Sequence, residues 1–204
     1  RNRGTCPEAV ARSIGHDETV TYIVGSVRWF VFLRAVNTGS RRLTNEALLA
    51  PFVDLGLDRV AAYQAAGNVT FVAEEQDAGL LESRLDGVLA EAYGFDVATF
   101  VRSRAELSAA IDPPPFSEVE LAATEGRMQI TFLRDAPDDD TTAEVMALVP
   151  DDDAVVFDAR HWLWLPRAGV SASELPVSRI EQLVGPMTMR TVGTVQRMSD
   201  KFAG

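Results

Sequence analysis

From Arg28 to Ala35 the chain reads Arg-Trp-Phe-Val-Phe-Leu-Arg-Ala. Aromatic and β-branched residues dominate this run, which predicts a strand. Trp29, Val31 and Leu33 fall on one face, and Phe30 and Phe32 on the other. A strand that is apolar on both faces is one buried on both sides. After the loop Val36-Asn-Thr-Gly-Ser40, Leu48, Phe52 and Leu55 recur at helical spacing. Thr44 is placed to cap that helix and Gly56 to stop it. Pro51 is expected to bend the helix or confine it to its later turns.

Two short strands follow, at about 59–64 and 68–73, joined as a hairpin through Ala65, Ala66 and Gly67. A second helix is predicted from the cap Asp77 to Tyr93, with Leu81, Leu85, Val88 and Leu89 inward and Gly94 at its end. Phe95 to Val101 reads as the next strand. Ser103-Arg-Ala-Glu106 matches a capping box and opens a short helix, which Pro113, Pro114 and Pro115 bring to an end in an extended connection. The order β-α-β-β-α-β is that of a ferredoxin-like unit.

The second half repeats the order. Strands are expected over 127–133, 154–157, 161–165 and 187–190, with helices over 139–148 and 173–184 and a final helix to Phe202. The repeat reads as topological only, without residue-level self-similarity. The fold class is therefore α+β: two ferredoxin-like units packed together, with a short C-terminal helix. The expected divisions are an extension over 1–26, disordered or non-native, with Val27 as a candidate start; an N-terminal unit over 27–111; a Pro-rich connection over 112–125; and a C-terminal unit over 126–204.

Composition narrows the chemistry. The 204 residues contain one Cys, Cys6, and two His, His16 and His161. A zinc site needs about four such ligands, and a Cys/His nucleophilic pair needs both partners in a packed region. No metal, cofactor or catalytic residue is assigned. His161 reads as a structural residue in a strand, since no partner acid or nucleophile is indicated. Asp138–Asp140 and Asp151–Asp153 lack the alternating spacing of a calcium loop and read as solvated turns. The longest strongly apolar run, Trp29 to Leu33, is far short of a bilayer span. No membrane association is expected, and the location expected by default is cytoplasmic.

Several segments resemble a bacterial family of uncharacterised proteins, domain of unknown function 1697. Phe32-Leu-Arg-Ala-Val-Asn-Thr-Gly39 is similar to the family's Leu-Leu-Arg-Gly-Ile-Asn-Val-Gly strand and loop. Tyr63-Gln-Ala-Ala-Gly-Asn-Val-Thr-Phe71 resembles its Tyr-Ile-Gln-Ser-Gly-Asn-Val-Val-Phe hairpin. Phe95-Asp-Val-Ala-Thr-Phe-Val-Arg102 with Ala105-Glu-Leu107 fits the strand and helix that follow. Thr188-Met-Arg-Thr-Val-Gly-Thr-Val-Gln-Arg-Met198 resembles the C-terminal Thr-x-Arg-Asn-Trp-x-Thr-Val-x-Lys-Leu pattern. Ala35, Ala66 and Thr191-Val192 depart from the family's Gly, Ser and Asn-Trp, so any ligand site built on those residues is altered here. The resemblance implies a two-unit α+β fold and no particular reaction.

One constellation points to binding. Adjacent antiparallel first and third strands bring Arg34, Asn37 and Gly39 beside Gly67 and Asn68. Glycines allow close approach of backbone, and Arg41 adds charge. Arg190 and Thr194 complete the set if the second unit folds over that edge. These eight residues form a candidate site for a small anion or phosphate. The competing structural reading is that the Asn residues bond loop backbone, the Gly residues serve turns, and Arg34 bridges the units through an ion pair.

Charge bears on the partner. The net charge is −11, which disfavours a general nucleic-acid role. Residues 135–153 carry eight acids and no base, whereas Arg28 to Arg42 contains four Arg and no acid. The leading expectation is a non-catalytic small-anion-binding or protein-interaction module, with self-association a further option. The alternatives are an enzyme for a small anionic or phosphorylated substrate, and a nucleic-acid binder using the local basic edge.

Overall fold

The computed structural model describes residues 25–37, 42–64, 66–124 and 128–203. The expected extension, apart from Gly25 and Ser26, lies outside these residues, as do Gly39 and Arg41.

The first half is β1 (Val27–Leu33), α1 (Asn45–Asp54), β2 (Asp58–Ala62), β3 (Asn68–Ala73), α2 (Ala78–Tyr93), β4 (Thr99–Ser103) and α3 (Arg104–Ile111). A helix α4 (Glu118–Ala123) links it to β5 (Gln129–Leu133), α5 (Asp139–Met146), β6 (Ala154–Asp158), β7 (His161–Leu165), α6 (Val177–Val184), β8 (Met187–Thr191) and α7 (Val192–Lys201). The strands form two four-stranded antiparallel sheets, ordered β2-β3-β1-β4 and β6-β7-β5-β8. The fold is α+β and consistent with two ferredoxin-like units.

The caps explain most element starts. Thr44 accepts from the Ala47 N–H, Asp77 from Gly79 and Leu80, and Ser103 and Glu106 close a reciprocal capping box. Gly94 ends α2 in the left-handed conformation, at φ 72°. Three expectations need correction. Helix α1 starts directly after Thr44 and carries Pro51 inside it, buried against the core, so its early turns are not lost. The connection after the three prolines is not wholly extended, because Ser117 and Glu120 make a second capping box that starts α4. The fourth strand also begins later than expected, at Thr99.

The double-sided burial of β1 sets the layers. Trp29, Val31 and Leu33 pack with Leu48, Phe52, Leu81, Leu85 and Leu89 of α1 and α2. Phe30 and Phe32 face the other way, into a core shared with Ile130, Phe132, Leu163 and Leu165 of the second sheet and closed by α3 and α7. The Phe32 and Phe132 rings stack across this shared core, with centroids 4.2 Å apart. The second sheet's outer face packs on α5 and α6 through Leu133, Val145, Trp162, Trp164 and Ile180. Asp153 is not a solvated turn residue: its carboxylate accepts from Trp164 Nε1, Ser173 Oγ and the Arg167 N–H. No described helix is long and apolar enough to cross a membrane.

Candidate functional site

The ends of β1 and β5 carry the same three residues, Phe32-Leu33-Arg34 and Phe132-Leu133-Arg134. Each unit also places one arginine on the strand beside them. Arg102 of β4 stands opposite Phe30, and Arg190 of β8 stands opposite Ile130. Both side chains cross the shared core and end on backbone of the other unit. Arg190 Nη2 donates to the carbonyls of Leu33 (2.9 Å) and Ala66 (3.0 Å). Arg102 Nη2 donates to those of Leu133 (2.5 Å) and Arg160 (2.8 Å). Arg190 lies over the Phe32 ring and Arg102 over the Phe132 ring. The two units thus clasp each other reciprocally around the Phe32–Phe132 stack. The repeat is therefore legible in particular residues and not in topology alone.

Of the described residues proposed for an anion site, Asn68 bonds Arg190 directly and Gly67 shapes the turn beside it, whereas Arg34 and Asn37 bond elsewhere. Arg190 Nε donates to Asn68 Oδ1 (2.6 Å), and Nη1 to Thr188 Oγ1 and the Met189 carbonyl. With the two carbonyls above, all five guanidinium N–H directions meet neutral protein acceptors. Burial pushes the Arg190 pKa down to about 10. Gly67 lies at φ 69°, and a Cβ there would stand 3.2 Å from the Leu33 Cβ and 3.3 Å from the Val36 Cβ. Only glycine lets the hairpin turn sit this close to the end of β1. Asn37, also in the left-handed region at φ 59°, accepts from the Leu43 N–H through Oδ1 and from Arg42 through its carbonyl. Arg34 reaches across the units to Glu181 of α6, at 2.6 Å. Thr194 does not join this group. It sits in the first turn of α7, bonded to Thr191 and Arg197, and those two residues with Gly193 line a cleft of about 570 Å³.

The Arg102 clasp is charged. Glu82 of α2, 1% exposed, accepts from the Val101 N–H (2.8 Å) and from Arg102 (3.1 Å). Arg134 and Arg160, both from the second unit, approach its other oxygen at 3.3 and 3.5 Å. Arg134 also pairs with Asp86, and Arg160 with Glu106 at 2.9 Å. Asp86 in turn accepts from the Thr99 N–H. Glu82 and Asp86 are one helical turn apart, and Thr99 and Val101 are two strand residues apart. The helix therefore lays a carboxylate on the outward N–H groups of Thr99 and Val101 in the edge strand β4. Burial pushes the Glu82 pKa up, against the pull of the Val101 N–H and the three arginines. Burial, then the neighbouring Arg160, pushes Arg102 down to about 10, while Glu82 and Glu106 pull it up.

This cluster was missed by sequence reasoning. The usable signals were Glu82 and Asp86 at i, i+4 on a helix, and the repeat of Phe-Leu-Arg at 32–34 and 132–134. The cluster floors a cleft of about 940 Å³, whose wall includes Glu75, Asp77, Glu82, Asp86, Asp135, Arg134 and Arg160. Five carboxylates thus face two arginines, and both arginines are engaged in ion pairs. His161 stands in β7 opposite Phe132, the place that Asn68 holds opposite Phe32 in the first unit. Its Nε2 is 4.0 Å from Asp158, and burial pushes its pKa down.

Comparison with known proteins agrees with the architecture. The family model for a protein of unknown function, DUF1697, matches residues 27–162. A solved structure, that of the conserved bacterial protein SP0830 from Streptococcus pneumoniae, is similar with a TM-score of 0.65. It is 20% identical, and the match covers 86% of this chain and 98% of that one. No curated protein matches the chain by sequence.

Proposed function

We propose that this chain, which belongs to the DUF1697 family of proteins of unknown function, is a non-catalytic interaction module that takes a basic partner along the cleft between its units. The observation that carries this reading is the charge left over in the cleft. Arg134 and Arg160 are paired with Glu82, Asp86 and Glu106. Glu75, Asp77 and Asp135 add negative charge at the same wall, and among the described residues no cation pairs with them. The acid-rich stretch 135–153 continues the field away from it. Fluorescence anisotropy of the full chain with a Lys/Arg-rich peptide and a Glu-rich control tests the reading. Binding of the basic peptide should weaken with added salt and fall several-fold in a Glu75→Gln, Asp135→Asn double variant. Preference for the acidic peptide would sink it.

A second reading keeps a small anion at the other clasp, with Arg34, Asn37, Gly67, Asn68 and Arg190. Its support is that Arg190 is a buried cation whose acceptors are all neutral. Calorimetric titration with inorganic phosphate, comparing the chain with its Arg34→Ala variant, separates the two.

A further inference from the structure

The two units finish their equivalent edge strands differently. In the first, Val101 and Thr99 of β4 give their outward N–H groups to Glu82 and Asp86. The equivalents on β8 are Met189, opposite Thr131, and Met187, opposite Leu133. Among the described residues, neither of those N–H groups meets a side-chain acceptor. The reason lies in α6. Arg134 pairs with Asp86, and its counterpart Arg34 pairs with Glu181, so Glu181 stands in the place of Asp86. The core residues one position earlier, Leu85 and Ile180, agree with this equivalence. Four residues before Asp86 is Glu82, whereas four before Glu181 is Val177, an apolar side chain 37% exposed. The carboxylate that seals one edge is absent from the other.

An unsealed edge strand is a template for pairing. We propose that the outer edge of β8 pairs antiparallel with β8 of a second copy of this chain, about a two-fold axis near Met189. Charge favours this partner. The β8 edge carries Arg34 and Glu181, already neutralising each other at 2.6 Å, and Arg190, whose N–H groups are all engaged. A copy related by a two-fold axis meets a balanced ion pair there, and the Arg190 charge is turned away into the shared core. The other edges are guarded. The β2 ladder breaks its register between Asp58 and Ala61, with Arg59 at φ 48°. The β6 edge is flanked by the exposed Asp151, Asp152 and Asp158, so two copies meeting there would repel. The Met189 carbonyl accepts from Arg190 Nη1 and keeps its second lone pair for a partner strand.

Sedimentation equilibrium of the full chain over about a hundredfold range of concentration tests this. The expected result is a rise from 22.2 kDa to twice that mass. Val177→Glu restores the acid that seals the first unit's edge. It should weaken association at least tenfold while thermal unfolding of the monomer stays in place. Met189→Cys, made with Cys6→Ser, should form a disulfide between copies, since paired strands bring opposed Cα atoms to about 5.5 Å. A mass of 22.2 kDa throughout, or a Val177→Glu variant that associates like the parent, overturns the proposal. So does capture of an added peptide at β8 by a chain that stays single.

Discussion

The Arg102 and Arg190 clasps occupy equivalent places and do the same job by different chemistry. Each buried guanidinium crosses the shared core and ends on two carbonyls of the other unit. Around Arg102 the fold adds a buried carboxylate and two further arginines. Around Arg190 it adds an asparagine and a threonine. A neutral shell stabilises a buried cation by hydrogen bonds that are indifferent to salt. An ionic shell stabilises it by charge, and every member then depends on the others. The two ends are therefore expected to respond to different conditions although the backbone around them is alike.

The largest expected effect comes from breaking the ionic end. Glu82→Gln leaves Arg102, Arg134 and Arg160 facing one another without their shared carboxylate, and should cost ~3–5 kcal/mol in urea unfolding. The matched change at the neutral end, Arg190→Met, strands Asn68 Oδ1 and two carbonyls and should cost about 2–3 kcal/mol. Equal losses, or the reverse order, would break the contrast between the two shells.

A smaller test compares the outer cores. Val31 and Val69 pair across β1 and β3, where the second unit has Thr131 and Trp162 across β5 and β7. Thr131 Oγ1 and Trp162 Nε1 are buried without a hydrogen-bond partner. Thr131→Val should therefore stabilise the chain by about 1 kcal/mol, read as a raised midpoint in urea. A lowered midpoint would show that the hydroxyl has a use.

The smallest effect is on pH dependence and concerns His161, which replaces Asn68 in the symmetry. Its pKa in the folded chain lies below the ordinary value of 6.5 because it is buried. Below pH 6.5 the unfolded chain gains a proton that the folded chain does not, so stability falls with pH from there down to the folded pKa. His161→Asn should flatten the stability profile in that window and leave it unchanged above. An unchanged slope in the variant would assign the pH response to other groups.

How much of this was legible in the sequence follows from the range of the interactions. The caps Thr44, Asp77 and Ser103 are local signals, and each lies where it was expected. The two apolar faces of β1 are a period-two pattern and correctly implied cover on both sides. Arg34 forms the inter-unit ion pair that was one of its two readings. The convergence of Asn68 with Arg190 was expected only on condition that the units pack at that edge, because 122 residues separate them. Glu82 carried no local mark at all. A glutamate on a helix is ordinarily a solvent-facing residue, and its burial depends on arginines 20, 52 and 78 positions away. Pro51 misled because propensity counts an exposed, isolated helix, whereas α1 is held by the packing of Leu48 and Phe52.

The reciprocity of the clasps has a consequence for the order in which the chain is made. Synthesis delivers the first unit complete by Ile111, with the carbonyls of Leu33 and Ala66 still lacking Arg190, and Glu82 still lacking Arg134 and Arg160. Its inner face, Phe30, Phe32 and Phe100, then has only α3 against it and lacks the second sheet and α7. The last of these partners, Arg190, is made only after the other strands of the second sheet. The nascent first half must therefore wait, with an apolar sheet face partly open, for the half that closes it.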